Sequence, residues 1–326
     1  MHDTRIALIH NPRSRRNSAG MDEYRRAARL ALGEMFLEPP SRDDLFAAVA
    51  SLSDAGIDFI AIDGGDGTVS DVLTAIYRAY PLSALPAVAV LPSGNTNLIA
   101  GDVGFGHRGL PALERLLELR DSGDFRRDVR RRQPLVVRWS DPARPPVLGM
   151  FHGTAGFTWA IELAHQPAIL DRYSHDTAVV MTLLSALSQL IRAKSRRAWL
   201  GGSEIRISIG AQNGEVERCF VFLATTLRRL SRGVWPFWRT AGADGGMMYL
   251  NVGANPPRLA RGLVALLRGQ APAWMRASDS WRSGNAQRIT LQADTDFVLD
   301  GEVLSPGPDG ITHLSCGPAF DFVQAA

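Results

Sequence analysis

The run Ile57-Asp58-Phe59-Ile60-Ala61-Ile62-Asp63 has the apolar content of a buried strand, and it breaks directly into Gly64-Gly65-Asp66-Gly67-Thr68. A helix-compatible segment, Val69 to Ala79, follows. Strand, glycine turn and helix in that order are how α/β proteins hold a phosphate. Glycines let the backbone approach closely, and the N–H groups at the start of the next helix attract negative charge. Asp66 is the unusual member. A carboxylate beside phosphates repels them unless a metal lies between, or unless its task is to take a proton. The pattern points to an enzyme handling a nucleoside triphosphate. The plainer reading is a tight turn with a solvated acid.

A second segment has the same design. Ala87-Val88-Ala89-Val90-Leu91 enters Pro92-Ser93-Gly94-Asn95-Thr96-Asn97, and helix-like Leu98-Ile99-Ala100 follows. Parallel strands place two such turns at one edge of a sheet, where ligands of open α/β folds bind. Asn95, Thr96 and Asn97 supply amide and hydroxyl groups suited to ribose and phosphate oxygens. The same residue types also favour ordinary turns.

A chain of 326 residues allows one large or two moderate domains. Its two cysteines, Cys219 and Cys316, give no zinc or disulfide pattern, which fits a reducing compartment. The segment Ile6 to Ile9 is too short for a signal sequence, and nothing approaches the ~20 apolar residues of a membrane span. The best candidate, Thr177 to Ile191, is interrupted by Thr182, Ser185, Ser188 and Gln189. A cytoplasmic location follows as an expectation. The histidines show no metal spacing, and no serine or cysteine sits in a Gly-x-Ser-x-Gly elbow.

Net charge is only +3, but the basic residues cluster. The groups are Arg126, Arg127, Arg130, Arg131 and Arg132; Arg192, Lys194, Arg196 and Arg197; and Arg228, Arg229 and Arg232. Anionic lipid, an anionic substrate, nucleic acid or a solvated basic face each accounts for them.

Residues 5–10 read as a strand, and 18–32, 42–54 and 111–119 as helices, so the first part alternates strand and helix around a parallel sheet. After about Arg127 the pattern changes. Leu135 to Trp139 is strand-like, and Ile205, Ile207 and Ile209 alternate with polar residues. Asn213-Gly214 reads as a hairpin turn into Val216 to Ala224. Further strands are expected at Met247 to Val252, Gln287 to Gln292, Phe297 to Leu299 and Ile311 to Cys316. Helices are expected at Asp176 to Arg192 and Pro257 to Arg268. The expectation is an α/β domain over 1–130 and a β-rich, mostly antiparallel domain over 131–326.

With these motifs assembled, the chain resembles the diacylglycerol kinase catalytic family, soluble bacterial lipid kinases that are also similar to sphingosine and ceramide kinases. The resemblance rests on an ordered set: Asn11-Pro12-x-Ser14, Gly64 to Thr68, Pro92-x-Gly94-x-Thr96-Asn97, Ala243-Asp244-Gly245 and Asp300-Gly301-Glu302. The glycine loop alone is shared with NAD kinases. The resemblance implies ATP and Mg2+ as cofactors and phosphoryl transfer to a lipid hydroxyl. It implies Glu302 as proton acceptor, Asp300 as its neighbour in activation or metal binding, and Asp66 as orienting Mg-ATP or sharing the base role. Asn11, Gly64, Gly65, Asp66, Gly67, Thr68, Ser70, Gly94, Asn95, Thr96 and Asn97 would line the nucleotide site. Asp244 resembles the acid of a structural magnesium site. On residue pattern alone, Val298 to Leu304 is a plain hairpin with Asp-Gly as its turn.

Several positions depart from the family pattern. Asn95 stands where threonine is usual, Leu98 where an aspartate is, and Ser70 and Asp71 where Asn and Glu are common. Trp235, Phe237 and Trp238 crowd beside Arg228, Arg229, Arg232 and Arg239 in a proline-broken segment. Aromatics with arginines suit the membrane–water interface, so this segment is expected to dock on anionic membrane, with a place in the domain core as the alternative. The expected partners are a lipid substrate and the inner membrane face, with no nucleic acid and a homodimer left open. An NAD kinase-like small-molecule kinase and a non-catalytic lipid- or nucleotide-binding regulator stand as alternatives.

Overall fold

The computed structural model describes residues 5–17, 21–158, 200–230, 234–238 and 245–325. Asp244, the helix expected over Asp176 to Arg192, the cluster from Arg192 to Arg197, and Arg232 and Arg239 lie outside the described residues. The chain divides into two compact units, Met1–Pro134 with Pro318–Ala326, and Leu135–Gly317.

The first unit alternates strand and helix. In order it has β1 (Ile6–His10), α1 (Asp22–Leu32), β2 (Phe36–Leu37), α2 (Arg42–Asp54), β3 (Phe59–Gly64), α3 (Asp66–Ala79), β4 (Ala87–Pro92), α4 (Leu98–Val103), α5 (Gly109–Ser122) and β5 (Val129–Arg132). The first four strands run parallel in the order β2-β1-β3-β4. Every residue of β3 is buried, which is why its sequence is nearly all apolar. Tyr24 and Ala28 of α1 and Leu113 and Leu116 of α5 pack with Leu8, Phe59, Ala61 and Leu91 in one core. Within the span 131–326, the final strand Phe320–Val323 returns to this sheet. It pairs parallel with β4 and antiparallel with β5. Its buried Phe320 and Phe322 anchor it there.

Most of the first arginine cluster is structural. Arg126 and Arg131 pair with Asp321, and Arg132 grips Asp102 through two bonds of 2.9 and 3.0 Å. Asp102 is fully buried, and Arg130 donates to its carbonyl. A buried carboxylate of this kind needs its cation.

The second unit is antiparallel. Its elements are β6 (Leu135–Trp139), β7 (Val147–Gly149), β8 (Phe151–Ala155), β9 (Ser203–Ile209), β10 (Val216–Thr225), β11 (Met247–Gly253), α6 (Leu259–Leu267), α7 (Ala273–Arg276), β12 (Trp281–Ala286), β13 (Arg288–Gln292), β14 (Phe297–Leu299), β15 (Glu302–Leu304) and β16 (Ile311–Cys316). The strand order is β15-β14-β8-β10-β9-β13-β16-β6-β7, with β11 pairing β10 and β12. Alternate residues enter one core: Leu135 and Val137, Ile205 and Ile207, Phe222 and Ala224, Ile289 and Leu291, Phe297 and Leu299. That is the period-two pattern of a sheet with one face buried.

The α/β unit and the antiparallel β-rich unit expected from the sequence are both present. The β9–β10 reversal is built differently from the expected Asn213-Gly214 turn. The chain bends at Gly210, whose φ is +62°. Gly214 instead lies flat against β9, where a Cβ would stand 1.8 Å from the Ile207 oxygen. Cys219 and Cys316 are both free thiols.

Candidate functional site

In the first unit, close approach of two loops dictates where the glycines fall. A Cβ on Gly94 would stand 2.5 Å from the Gly65 Cα, and one on Gly65 would stand 3.1 Å from the Gly94 Cα. Gly64 is pressed against Thr68 in the same way, at 2.6 Å. Gly94→Ala therefore should cost about 1–3 kcal/mol of stability as the loops are forced apart. A shift of the urea midpoint checks it.

Asp66 joins the same two loops. Its Oδ2 accepts from the Leu98 N–H and its Oδ1 from the Ile99 N–H, each at 2.9 Å. The carboxylate thus satisfies the orphan amides at the start of α4, a role its place in the sequence does not reveal. Desolvation raises its pKa, and the two amide bonds only partly offset that. Leu98, where the family pattern has an acid, contributes its backbone here.

The surrounding polar groups are mutually held. Asn11 Nδ2 donates to Thr68 Oγ1 at 2.8 Å, and its Oδ1 accepts from the Arg13 N–H at 2.9 Å. Asn97 sits at φ +49°, accepts from the Gly94 N–H at 2.8 Å and donates back to the Gly94 carbonyl at 2.9 Å. Arg15 reaches Asn95 Oδ1 at 3.2 Å. Asn95 and Thr96 remain partly exposed. Gly67 and Thr68 fall in the first turn of α3, which Gly65 caps. So Asn11, Gly64 to Thr68 and Gly94 to Asn97 gather at one end of the sheet. Ser70 does not join them: it is buried along α3, where the Thr74 hydroxyl bonds its carbonyl. Asp71 pairs with Arg42 of α2 at 2.6 Å.

Sequence reasoning missed a buried polar cluster below these loops. His10 and Asp63 are register partners at the ends of β1 and β3. The His10 Nδ1 to Asp63 Oδ2 distance is 2.8 Å, and Asn17 and the Ser93 hydroxyl donate to Asp63 Oδ1. Burial pushes the Asp63 carboxyl up, but the bonds from His10, Ser93 and Asn17 outweigh it and hold the group below its usual range. The available signal was two polar residues, on adjacent strands, each closing an apolar run. A cavity of about 440 Å³ adjoins the cluster, lined by Arg16, Asn17, Tyr24, Ser93, Arg108 and Leu110 among others.

In the second unit Asp300 and Gly301 are the two-residue turn between β14 and β15, at φ +49° and +91°. Both values are positive, as the tight hairpin turn that matches strand twist requires. The Asp300 side chain also has a distant task. Its Oδ2 accepts from the Met150 N–H at 2.8 Å and its Oδ1 from the Phe151 N–H at 2.9 Å, while its own N–H donates to the Phe151 carbonyl at 2.9 Å. Glu302 opens β15 opposite Leu299 and is exposed. Beside this hairpin, His152 is a packed core histidine. It stacks on Phe297 with ring centroids 5.1 Å apart, and burial lowers its pKa to about 3.

The aromatic segment is divided. Phe237 is buried, whereas Trp235 and Trp238 are half-buried and Arg228 and Arg229 exposed. Among the described residues no three His, Cys, Asp or Glu side chains are grouped to hold a metal, and no helix is long and apolar enough to cross a membrane.

Residues 5–123 match the family model of the diacylglycerol kinase catalytic domain. No curated protein matches the chain. Three solved structures from Bacillus anthracis str. Sterne resemble it. One, named a candidate diacylglycerol kinase, gives a TM-score of 0.65 at 14% identity, covering 98% of this chain and 97% of that one. A second, named as a diacylglycerol kinase, gives 0.61 at 13% identity, covering 99% and 97%. A third candidate of that name gives 0.63 at 15% identity, covering 99% and 98%. At such identities the likeness is one of fold, and it extends over both units.

Proposed function

We propose, from the match of residues 5–123 to the diacylglycerol kinase catalytic domain, that the chain transfers the γ-phosphate of ATP to a lipid hydroxyl. Diacylglycerol is the default acceptor. The observation that carries this reading is the interlock of the two glycine loops through Gly65, Gly94 and Asp66. It builds a rigid edge of backbone amides and polar side chains suited to phosphates.

Phosphoryl transfer asks for positioning and charge neutralisation more than for covalent chemistry. The amides that open α3 bind phosphate oxygens, and Asn11, Thr68, Asn95 and Thr96 fix their orientation. Asn97 and Asp66 keep the second loop in register. Glu302 accepts the proton of the acceptor hydroxyl as its oxygen bonds to phosphorus, and ADP leaves with the bond electrons. Asp300 holds the hairpin that presents Glu302. Mg2+ supplies charge neutralisation when bound with the nucleotide. Each Asp66 oxygen accepts one amide bond and keeps a further lone pair, so Asp66 would orient Mg-ATP while bracing the second loop. Asp244 is kept as the acid of a structural ion by resemblance. Arg228, Arg229, Trp235 and Trp238 contact anionic membrane at the cytoplasmic face.

The test is transfer from labelled ATP to a panel of lipids in mixed micelles, with NAD as a soluble acceptor. Label in one lipid is expected. Label in NAD alone moves the protein to a soluble-kinase reading, and ATP binding without any transfer ends the catalytic one.

A further inference from the structure

We propose that the outward side of α6, with the segment 234–238 at its end, forms a docking face for an anionic phospholipid bilayer. The choice of a membrane as occupant rests on the lipid-acceptor reading above. The charge and exposure of the face do not.

The sequence from Ala254 to Ser278 contains four arginines, Arg258, Arg261, Arg268 and Arg276, and no acid. Among the described residues none of the four forms an ion pair, and Arg258 lies over the Trp274 ring at 5.4 Å. Ordinary solvated helices mix both signs of charge, so a stretch this one-sided suits an anionic surface.

The apolar side of α6 divides in two. Gly262 and Leu266 are buried, with Gly262 set so tightly on Trp281 that a Cβ would stand 2.5 Å from the indole ring. That contact fixes which side of the helix faces the sheet. Helical spacing then places Ala260, Val264 and Leu267 on the far side, flanked by Arg261 and Arg268. Val264 is 44% exposed, among the most exposed large apolar side chains described. The turn after α6 meets the aromatic segment: a Cβ on Gly269 would stand 3.6 Å from that of Trp235. Half-buried Trp235 therefore borders the end of α6, whereas Met275 of α7 and Trp281 lie under Gly262 on the sheet-facing side. Arginines at its border bind lipid phosphates bidentately, the Trp235 indole sits at headgroup level, and Val264 enters the acyl boundary. A polyanion such as nucleic acid meets the charges but has no use for the apolar centre.

Co-sedimentation of the full chain with vesicles of phosphatidylcholine, with and without phosphatidylglycerol, tests this. Wild type should pellet with the anionic vesicles only. Each arginine near the surface contributes about a fivefold factor in partitioning, so Arg261→Glu with Arg268→Glu should weaken binding ~25-fold or more. Val264→Asp should weaken it several-fold with the charge cluster intact. Wild-type binding by both variants, or no binding by wild type, overturns the proposal. Equal binding to a short DNA duplex, insensitive to Val264→Asp, overturns it too. Transfer to a water-soluble short-chain acceptor is read in parallel. Its absence would sink the kinase reading, while vesicle binding stands or falls separately.

Discussion

Glu302→Gln should lower phosphate transfer about 10²–10⁴-fold while leaving ATP binding and thermal stability unchanged. Glutamine has the size and hydrogen-bonding reach of glutamate but no basicity. Glu302 is exposed at the first position of β15, so no buried charge is stranded by the change. The turn before it is set by Asp300 and Gly301, both untouched. The loss therefore reads proton transfer and little else. Single-turnover transfer from labelled ATP, alongside nucleotide titration of the same variant, measures it. Wild-type turnover in a folded Glu302→Gln protein removes Glu302 from the base role. Asp66→Asn is the informative contrast. An amide can accept from only one of the Leu98 and Ile99 N–H groups, so the second loop loosens. Its expected signature is weaker nucleotide binding first and slower transfer second, the reverse of the Glu302 pattern.

The difference between these two acids marks what a sequence can and cannot convey. The strand–glycine–helix unit at Phe59 to Ala79 was legible because burial on both faces demands an unbroken apolar run and loop contact demands glycine. Ile205, Ile207 and Ile209 announced a strand through their period of two. Strand β12 was not legible: Trp281-Arg282-Ser283-Gly284-Asn285-Ala286 has little strand character and is held by pairing with β11. Its Gly284 serves the Tyr249 phenol, which a Cβ would meet at 2.4 Å. The final strand was hidden for a related reason. Four residues, Phe320–Val323, gain their place only from a sheet laid down some two hundred residues earlier. The acids follow the same rule. Asp66 and Asp300 announced themselves as charged residues in glycine turns, but their partners, the amides of Leu98 and Ile99 and of Met150 and Phe151, are distant in sequence. Local pattern names the residue, and only long-range packing names its hydrogen bonds. The membrane-facing reading of Arg126 to Arg132 weakened on the same ground, since Asp102 and Asp321 already occupy most of that cluster.

Asp300→Ala should then be the most destabilising single change near the hairpin, at about 3–8 kcal/mol. Two amides, at Met150 and Phe151, lose their acceptors, and both residues are buried. Each orphaned buried donor costs about 1–3 kcal/mol. Alanine at φ +49° adds backbone strain of roughly 1–2 kcal/mol, which aspartate and asparagine largely avoid because their short polar side chains tolerate the left-handed region. Asp300→Asn should accordingly lose about half as much, keeping one acceptor and the backbone preference. Urea denaturation of the two variants gives the ordering, and an Asp300→Ala midpoint equal to wild type would show that the amides find other partners. The kinetic corollary separates positioning from chemistry. If Asp300 acts by holding the hairpin, folded Asp300→Asn retains much of the transfer rate that Glu302→Gln loses. Equal losses in the two variants would instead mean that Asp300 takes part in the proton transfer itself.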